Sequence, residues 1–170
     1  IIHEILEHAG QLTPRDMLHT AEAMLYVAEL RRKRRFKILL EEPIVAEWLP
    51  SKPKTTVDVV LYVADEMHIL DYKSGKIPVY AEDNVQQLFY ARSFAYLAPK
   101  APGVWIHIVQ PWAPDGNSVW FASADRLAEF SRDAIAADEK ILAGDTTLNP
   151  SDDCKFCPAN PHSRSDKGRP

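Results

Sequence analysis

A carboxylate interrupts an otherwise apolar run at Val57, Asp58, Val59, Val60 and Leu61. Residues 55–64 have the β-branched enrichment of a strand, and a charge inside such a strand loses its water unless a partner or a cation replaces it. The pattern recurs 13 residues later, where Ile69 and Leu70 lead into Asp71 and Lys73 stands two positions further on. Asp65-Glu66 reads as the turn between the two runs, which makes them a hairpin over residues 55–72. Period-two alternation sets Asp71 and Lys73 on one face, with Tyr72 pointing away. Pairing through that turn opposes residues whose numbers sum to about 131, which brings Asp58 near Lys73 and close to Asp71. Two carboxylates and an ammonium therefore converge on one patch. Carboxylates buried in this way rarely persist without a role.

The rest of the chain supplies helices and further strands. Residues 1–9 have apolar positions at Ile2, Ile5, Leu6 and Ala9, a helical period closed by Gly10. Thr13-Pro14 opens a second helix over residues 14–35, and it ends in the basic run Arg31-Arg32-Lys33-Arg34-Arg35. Residues 36–48 read as a strand ahead of the hairpin. Asp83-Asn84 caps a helix reaching residue 97, with Val85, Leu88, Phe89, Phe94 and Leu97 apolar. Strands over 104–111 and 119–122 flank the turn Asp115-Gly116-Asn117, and Ser123 or Asp125 starts a helix over 124–142. This order predicts an α/β or α+β class, a mixed central sheet flanked by helices. The expected organisation is one domain over residues 1–150 and a coil-like tail over 151–170.

The net charge of −4 speaks against holding nucleic acid by bulk charge alone, while leaving room for a local basic track. No apolar run is long enough to span a bilayer and no signal peptide is visible, so a cytoplasmic protein without membrane partners is expected. The chain opens on helical residues without Met, which is consistent with further residues upstream. The two cysteines, Cys154 and Cys157, are spaced C-x-x-C, which permits a bridge but suits metal or cluster ligation better.

Two carboxylates with open water positions suit Mg²⁺ or Mn²⁺. Such an ion polarises a phosphodiester and lowers the pKa of a water, and a nearby lysine orients that water or stabilises charge on the phosphate. The plainer alternative is a hairpin whose two aspartates are salt-bridged to Lys73. Lys76 and Arg92 lie near the patch in sequence and are candidate DNA contacts, whereas the basic run at 31–35 suits a phosphate track or a solvated helix end. His68 reads as an exposed strand residue, and the four tryptophans read as packing.

The arrangement Asp58 with Asp71-Tyr72-Lys73 resembles the signature of the PD-(D/E)XK nucleases. More narrowly, Thr56-Val57-Asp58-Val59-Val60 and His68-Ile69-Leu70-Asp71-Tyr72-Lys73-Ser74-Gly75-Lys76 resemble RecB-like nucleases of phages and prophages. Their motif is followed by a helix bearing Gln-x-x-x-Tyr, and Gln86 and Tyr90 stand at that spacing, on one helix face. The resemblance implies a restriction-endonuclease-like core and exonucleolytic hydrolysis of DNA. It implies Asp58, Asp71, the carbonyl of Tyr72 and His3 as metal ligands, Lys73 as the residue that positions or activates water, and Gln86 and Tyr90 as supports for substrate and nucleophile. Glu41 or Glu42 resembles a further acidic position, and the pattern does not choose between them. The segment Cys154-Lys155-Phe156-Cys157-Pro158 resembles the end of iron–sulfur members, which use four cysteines. Ser163 stands at one of those positions and no upstream cysteine is present. A [4Fe–4S] cluster is therefore expected only in a longer or unaltered chain, with idle thiols in this one. Thr55 departs from a glycine preferred in the family without removing a ligand. An endonuclease of the same chemistry and a non-catalytic DNA-binding or assembly module are the rival readings.

Overall fold

The computed structural model describes residues 36–63, 65–110 and 112–147. The expected helices over 1–9 and 14–35, with His3 and the basic run, lie outside the described residues, as do Cys154, Cys157 and Ser163. The elements in chain order are β1 (Phe36–Val45), β2 (Lys54–Val63), β3 (Glu66–Tyr72), α1 (Val85–Phe94), β4 (Gly103–Val109), β5 (Ser118–Ser123) and α2 (Ala124–Leu142). A short 3-10 turn, Ala95–Leu97, continues α1. The strands form one sheet in the order β1-β2-β3-β4-β5. Its pairs are antiparallel except β3 with β4, which are parallel. A parallel pair needs a crossover, and α1 lies in that connection. The fold is a mixed sheet with helices, as the alternation of periods predicts.

The hairpin register differs from the expected one. Val59 pairs with Leu70 and Val63 with Glu66, so Glu66 belongs to the strand and not to the turn. The difference is two residues. An even shift leaves every side chain on the face the alternation assigns it, so Asp58 and Asp71 stay together.

One face of the sheet packs Val60, Ile69, Ile106 and Ile108 with Leu88, Tyr90, Ala91 and Phe94 of α1. Leu61 and Leu70, one step along their strands, form a second cluster with Ile38 and Val59. Strands β3 and β4 are thus buried on both faces, which is why their sequences read as near-continuous apolar runs. Burying one such side chain, Leu88 for example, stabilises the fold by about 1.5–3 kcal/mol. Asn84 caps α1, its side chain accepting the Gln87 N–H at 3.2 Å. That cap places Val85 in solvent at 69% exposure, against its expected place on the apolar face.

The chain divides into two compact units, Ile1–Glu139 and Lys140–Pro170. In the first, the Ser123 hydroxyl caps α2 by accepting the Arg126 N–H at 3.1 Å. In the second, Gly144 at φ +80° closes that helix. Its N–H reaches the Ile141 carbonyl and the Asp145 N–H reaches the Lys140 carbonyl, each at 3.0 Å, a Schellman ending that needs a left-handed residue. Among the described residues no helix is long and apolar enough to cross a membrane.

His68 is not the exposed residue its strand position suggests: it is 6% exposed. The parallel partner β4 brings His107 alongside, the rings stack, and His68 Nδ1 and His107 Nε2 share a proton across 3.0 Å. Glu66 lies 3.7 Å from His68 Nε2. Burial, and then the His68 charge, push the His107 pKa down from 6.5 to about 3. The unfolded chain binds a proton on His107 below pH 6.5 that the folded chain refuses until about pH 3. Stability from this group is therefore full above pH 6.5 and declines as the pH falls from there towards 3. Denaturant titrations of the wild type and His107→Gln should diverge below pH 6.5, with the wild type losing an additional slope of about 1.4 kcal/mol per pH unit. Parallel curves between pH 6.5 and 5 would contradict a neutral buried His107.

Candidate active site

The β2–β3 ladder ends with Val59 opposite Leu70, and one further step sets Asp58 across from Asp71. There a side chain takes over from the backbone: Asp58 Oδ2 accepts the Tyr72 N–H at 3.0 Å. On the other side of β3, the Lys73 N–H donates to the Val109 carbonyl at 3.0 Å. The chain is thus pinned from both neighbours where the two carboxylates meet.

Asp71 is 3% exposed. Burial pushes its carboxyl pKa up, the Lys73 ammonium draws it down, the Asp58 charge pushes it up again, and the Gln87 amide lowers it. Lys73 Nζ lies 2.8 Å from Asp71 Oδ2. The contact is an ion pair, and Oδ2 is otherwise a buried oxygen without a hydrogen-bond partner. Such a pair is worth about 6 kcal/mol at an effective dielectric constant of about 20. Withdrawing a carboxylate from water costs several kcal/mol. The two are of similar size, and the upward direction of the pKa says that burial prevails.

The lysine leads on to α1. Its Nζ donates to Gln86 Oε1 at 3.1 Å, and Gln86 Nε2 donates to the Tyr90 hydroxyl at 2.8 Å. The i,i+4 spacing makes the second contact local. The Tyr90 ring is core, 5% exposed, and only its hydroxyl reaches the polar chain. Asp58, Asp71, Lys73, Gln86 and Tyr90 are therefore brought together, with Tyr72 between Asp71 and Lys73 in sequence. Glu41 has a φ of +47° and sits between the pairs Leu40–Val59 and Glu42–Val57, the register position across from Asp58. Lys76 is exposed and joins none of these contacts. Arg92 is engaged elsewhere: its Nε donates to Ser131 Oγ at 2.8 Å and its guanidinium lies 5.5 Å from the centre of the Trp48 ring.

Two carboxylates and water suit Mg²⁺ or Mn²⁺, ions that keep several waters and take few protein ligands. The buried, unbonded Asp71 Oδ2 fits such an ion. Among the described residues no three of His, Cys, Asp and Glu gather, so an ion requiring a closed protein shell does not fit them.

Two residues escaped the reading of the sequence. Gln110, 1% exposed, fastens the loop between β3 and α1. Its Oε1 accepts the Val79 N–H at 2.8 Å, and its Nε2 donates to the carbonyls of Gly75 at 3.0 Å and Ile77 at 2.7 Å. Gln87 is fully buried beneath α1. The available signal was its phase: Ala91 and Phe94 follow it by four and seven residues on the buried stripe.

The chain belongs to the family described as "Protein of unknown function (DUF2800)", whose model matches residues 10–168. No match is found among curated proteins. Several solved structures are similar to it. One from Eubacterium rectale, called "Putative exonuclease", is 9% identical with a TM-score of 0.48, covering 91% of this chain and 72% of that one. Another, called SSO0001, is 13% identical with a TM-score of 0.41, covering 91% and 73%. A third, the protein of unknown function AF1548, is 15% identical with a TM-score of 0.28, covering 71% and 96%.

Because burial raises the Asp71 pKa in the folded chain, its ionised form above that pKa costs stability that the protonated form at low pH does not. Asp71→Asn, melted at neutral pH without divalent metal, should therefore have a higher melting temperature than the wild type. The expected gain is about 2–4 °C for each kcal/mol recovered. A lower melting temperature would mean that the Lys73 pair outweighs burial.

Proposed function

We propose that this member of the DUF2800 family is a divalent-metal-dependent nuclease of the PD-(D/E)XK kind, hydrolysing DNA phosphodiesters as an exonuclease. One observation carries the reading. Asp58, Asp71 and Lys73 converge at the end of the hairpin, and Lys73 is held in turn by Gln86 and Tyr90 at 3.1 and 2.8 Å. A salt bridge that only stabilised the hairpin would need neither a second carboxylate beside it nor a hydrogen-bonded helix directing its lysine.

Asp58 and Asp71 would hold the Mg²⁺ or Mn²⁺, with the carbonyl of Tyr72 and the imidazole of His3 as the further ligands that the family resemblance implies. When bound, the ion supplies Lewis acidity toward the phosphodiester and lowers the pKa of a water. Lys73 offers a fixed positive charge beside the reacting phosphate, where it can direct the water and offset charge developing on the phosphate oxygens. Gln86 acts as an acceptor that keeps the ammonium aimed. The Tyr90 hydroxyl, accepting from Gln86 Nε2, settles which end of that amide faces Lys73. The product is a DNA chain shortened from its end, with the P–O ester bond replaced by a bond to the oxygen of water.

The deciding assay is cleavage of end-labelled linear and closed circular DNA, single- and double-stranded, with Mg²⁺, Mn²⁺ or EDTA. Metal-dependent loss of linear DNA with circles spared is expected, and cut circles would make the enzyme an endonuclease. Lys73→Ala should lower the rate by about 100–1000-fold with the fold intact. Asp71→Asn should remove activity while melting no lower than the wild type. Full activity in either variant would overturn the assignment, as would an inert wild-type protein shown to be folded.

A further inference from the structure

Among the described residues, the buried side-chain atoms without a hydrogen-bond partner belong to two residues: Asp71 Oδ2, Gln87 Nε2 and Gln87 Oε1. Gln87 is 0% exposed. It is the third residue of α1, and its own N–H is spent on the Asn84 cap at 3.2 Å. Its side chain belongs to the stripe that α1 turns toward the sheet, where Leu88, Ala91 and Phe94 are apolar. An amide with neither group satisfied is a costly occupant of such a stripe, where methionine would fill the same space at no polar cost. Packing alone gives no reason for it. Its chain neighbour Gln86 holds Lys73 at 3.1 Å and Lys73 lies 2.8 Å from Asp71, so this end of α1 lies beside that carboxyl, whose ionised form the Gln87 amide favours.

Adjacent glutamines thus look in different directions. Gln86, exposed, holds the Lys73 ammonium at 3.1 Å. Gln87, buried, faces inward at the same end of α1. We infer that Gln87 is a positioning residue for Asp71, its Nε2 holding the carboxylate in the orientation a divalent cation requires. This rests on the metal-dependent reading above. Carboxylates that bind metals are themselves hydrogen-bonded, and losing that outer partner weakens metal binding about 10–100-fold. In the present arrangement Asp71 Oδ2 is turned to Lys73 at 2.8 Å, and neither atom of the Gln87 amide has a hydrogen-bond partner. A bond from Gln87 Nε2 to the carboxylate is a charge-assisted contact, one that serves ion binding more than folding.

The test uses the full chain, stripped of metal, with Mn²⁺ itself as the probe. Gln87→Met keeps the length of the side chain and removes its donor. The expected result is a Kd for Mn²⁺ raised about tenfold or more by calorimetry, with a metal-free melting temperature equal to or above that of the wild type. Leu88→Met, the neighbouring core substitution, should leave the Kd unchanged. An unaltered Kd in folded Gln87→Met overturns the inference and leaves the nuclease reading standing, as does an equal loss in Leu88→Met. A wild type that binds no Mn²⁺ overturns both. Should Gln87→Met fail to fold, the wild-type protein decides by nuclear magnetic resonance. The Gln87 side-chain amide signals should move on saturation with Mg²⁺, and unmoved signals overturn the inference.

Discussion

The burial of one carboxylate at the end of β3 governs the rest of the site. Asp71 is on the face of β3 that the core occupies, and Lys73, two residues on, reaches back to 2.8 Å and offsets part of the cost of its charge there. The Asp-x-Lys spacing works because strand alternation returns to the same face every second residue. It works only at a strand end, since Lys73 must keep its ammonium near solvent while its stem covers the carboxylate. Everything around the pair follows from that placement. Asp58 bonds the Tyr72 N–H from one side, β4 pairs with Lys73 from the other, and α1 lowers Gln86 onto the ammonium.

The sheet holds two buried polar groups of opposite character. His68 and His107 satisfy each other at 3.0 Å within β3 and β4. Burial keeps His107 neutral, and Glu66 lies 3.7 Å from the other ring nitrogen of His68. The set around Asp71 is open. It contains unlike charges, retains unbonded atoms on Asp71 and Gln87, and runs outward through Lys73 to the exposed Gln86. A structural polar set meets its own needs, because an unmet buried group costs more than a met one returns. Groups left unmet beside a charge, next to solvent, are the arrangement expected where a ligand completes the bonding. The distinction separates Asp71 from the histidines, although all three are buried.

What the sequence disclosed depended on the range of the interaction that decided each feature. The two acidic interruptions, the Asp-x-Lys step and the Gln86–Tyr90 pair are local periodicities, and the faces they define survived a register two residues away from the expected one. Helix α2 was legible from end to end because both of its stops are local, a serine cap at Ser123 and a left-handed glycine at Gly144. His68 was misread because its cover comes from His107, 39 residues away on a parallel neighbour, and no local signal announces a parallel pairing. Arg92 shows the same limit. Its place against Trp48 and Ser131 depends on how α1 meets residues from both ends of the domain. Gln87 was passed over for a different reason: a single polar residue on an apolar phase reads as surface until the helix's inner face is known.

The loop between β3 and α1 joins these threads. Lys73 and Gln86 must meet at 3.1 Å although they stand 13 positions apart in sequence, and an unfastened loop of that length would spread the two ends over many positions. Gln110 removes that freedom. Standing one residue past β4, it binds the backbone of Gly75, Ile77 and Val79, and its own N–H is held by Asn117 Oδ1 at 2.9 Å. The parallel pairing of β3 with β4 therefore does more than cover Asp71. It delivers Gln110 to the point where the loop leaves the sheet, so the strand that carries the carboxylate and the helix that carries its partners are referenced to the same neighbour. Positioning a lysine to within a few tenths of an ångström requires rigid support of this kind. A site assembled from a hairpin and a helix obtains that support from the strand between them in space, not from the residues between them in sequence.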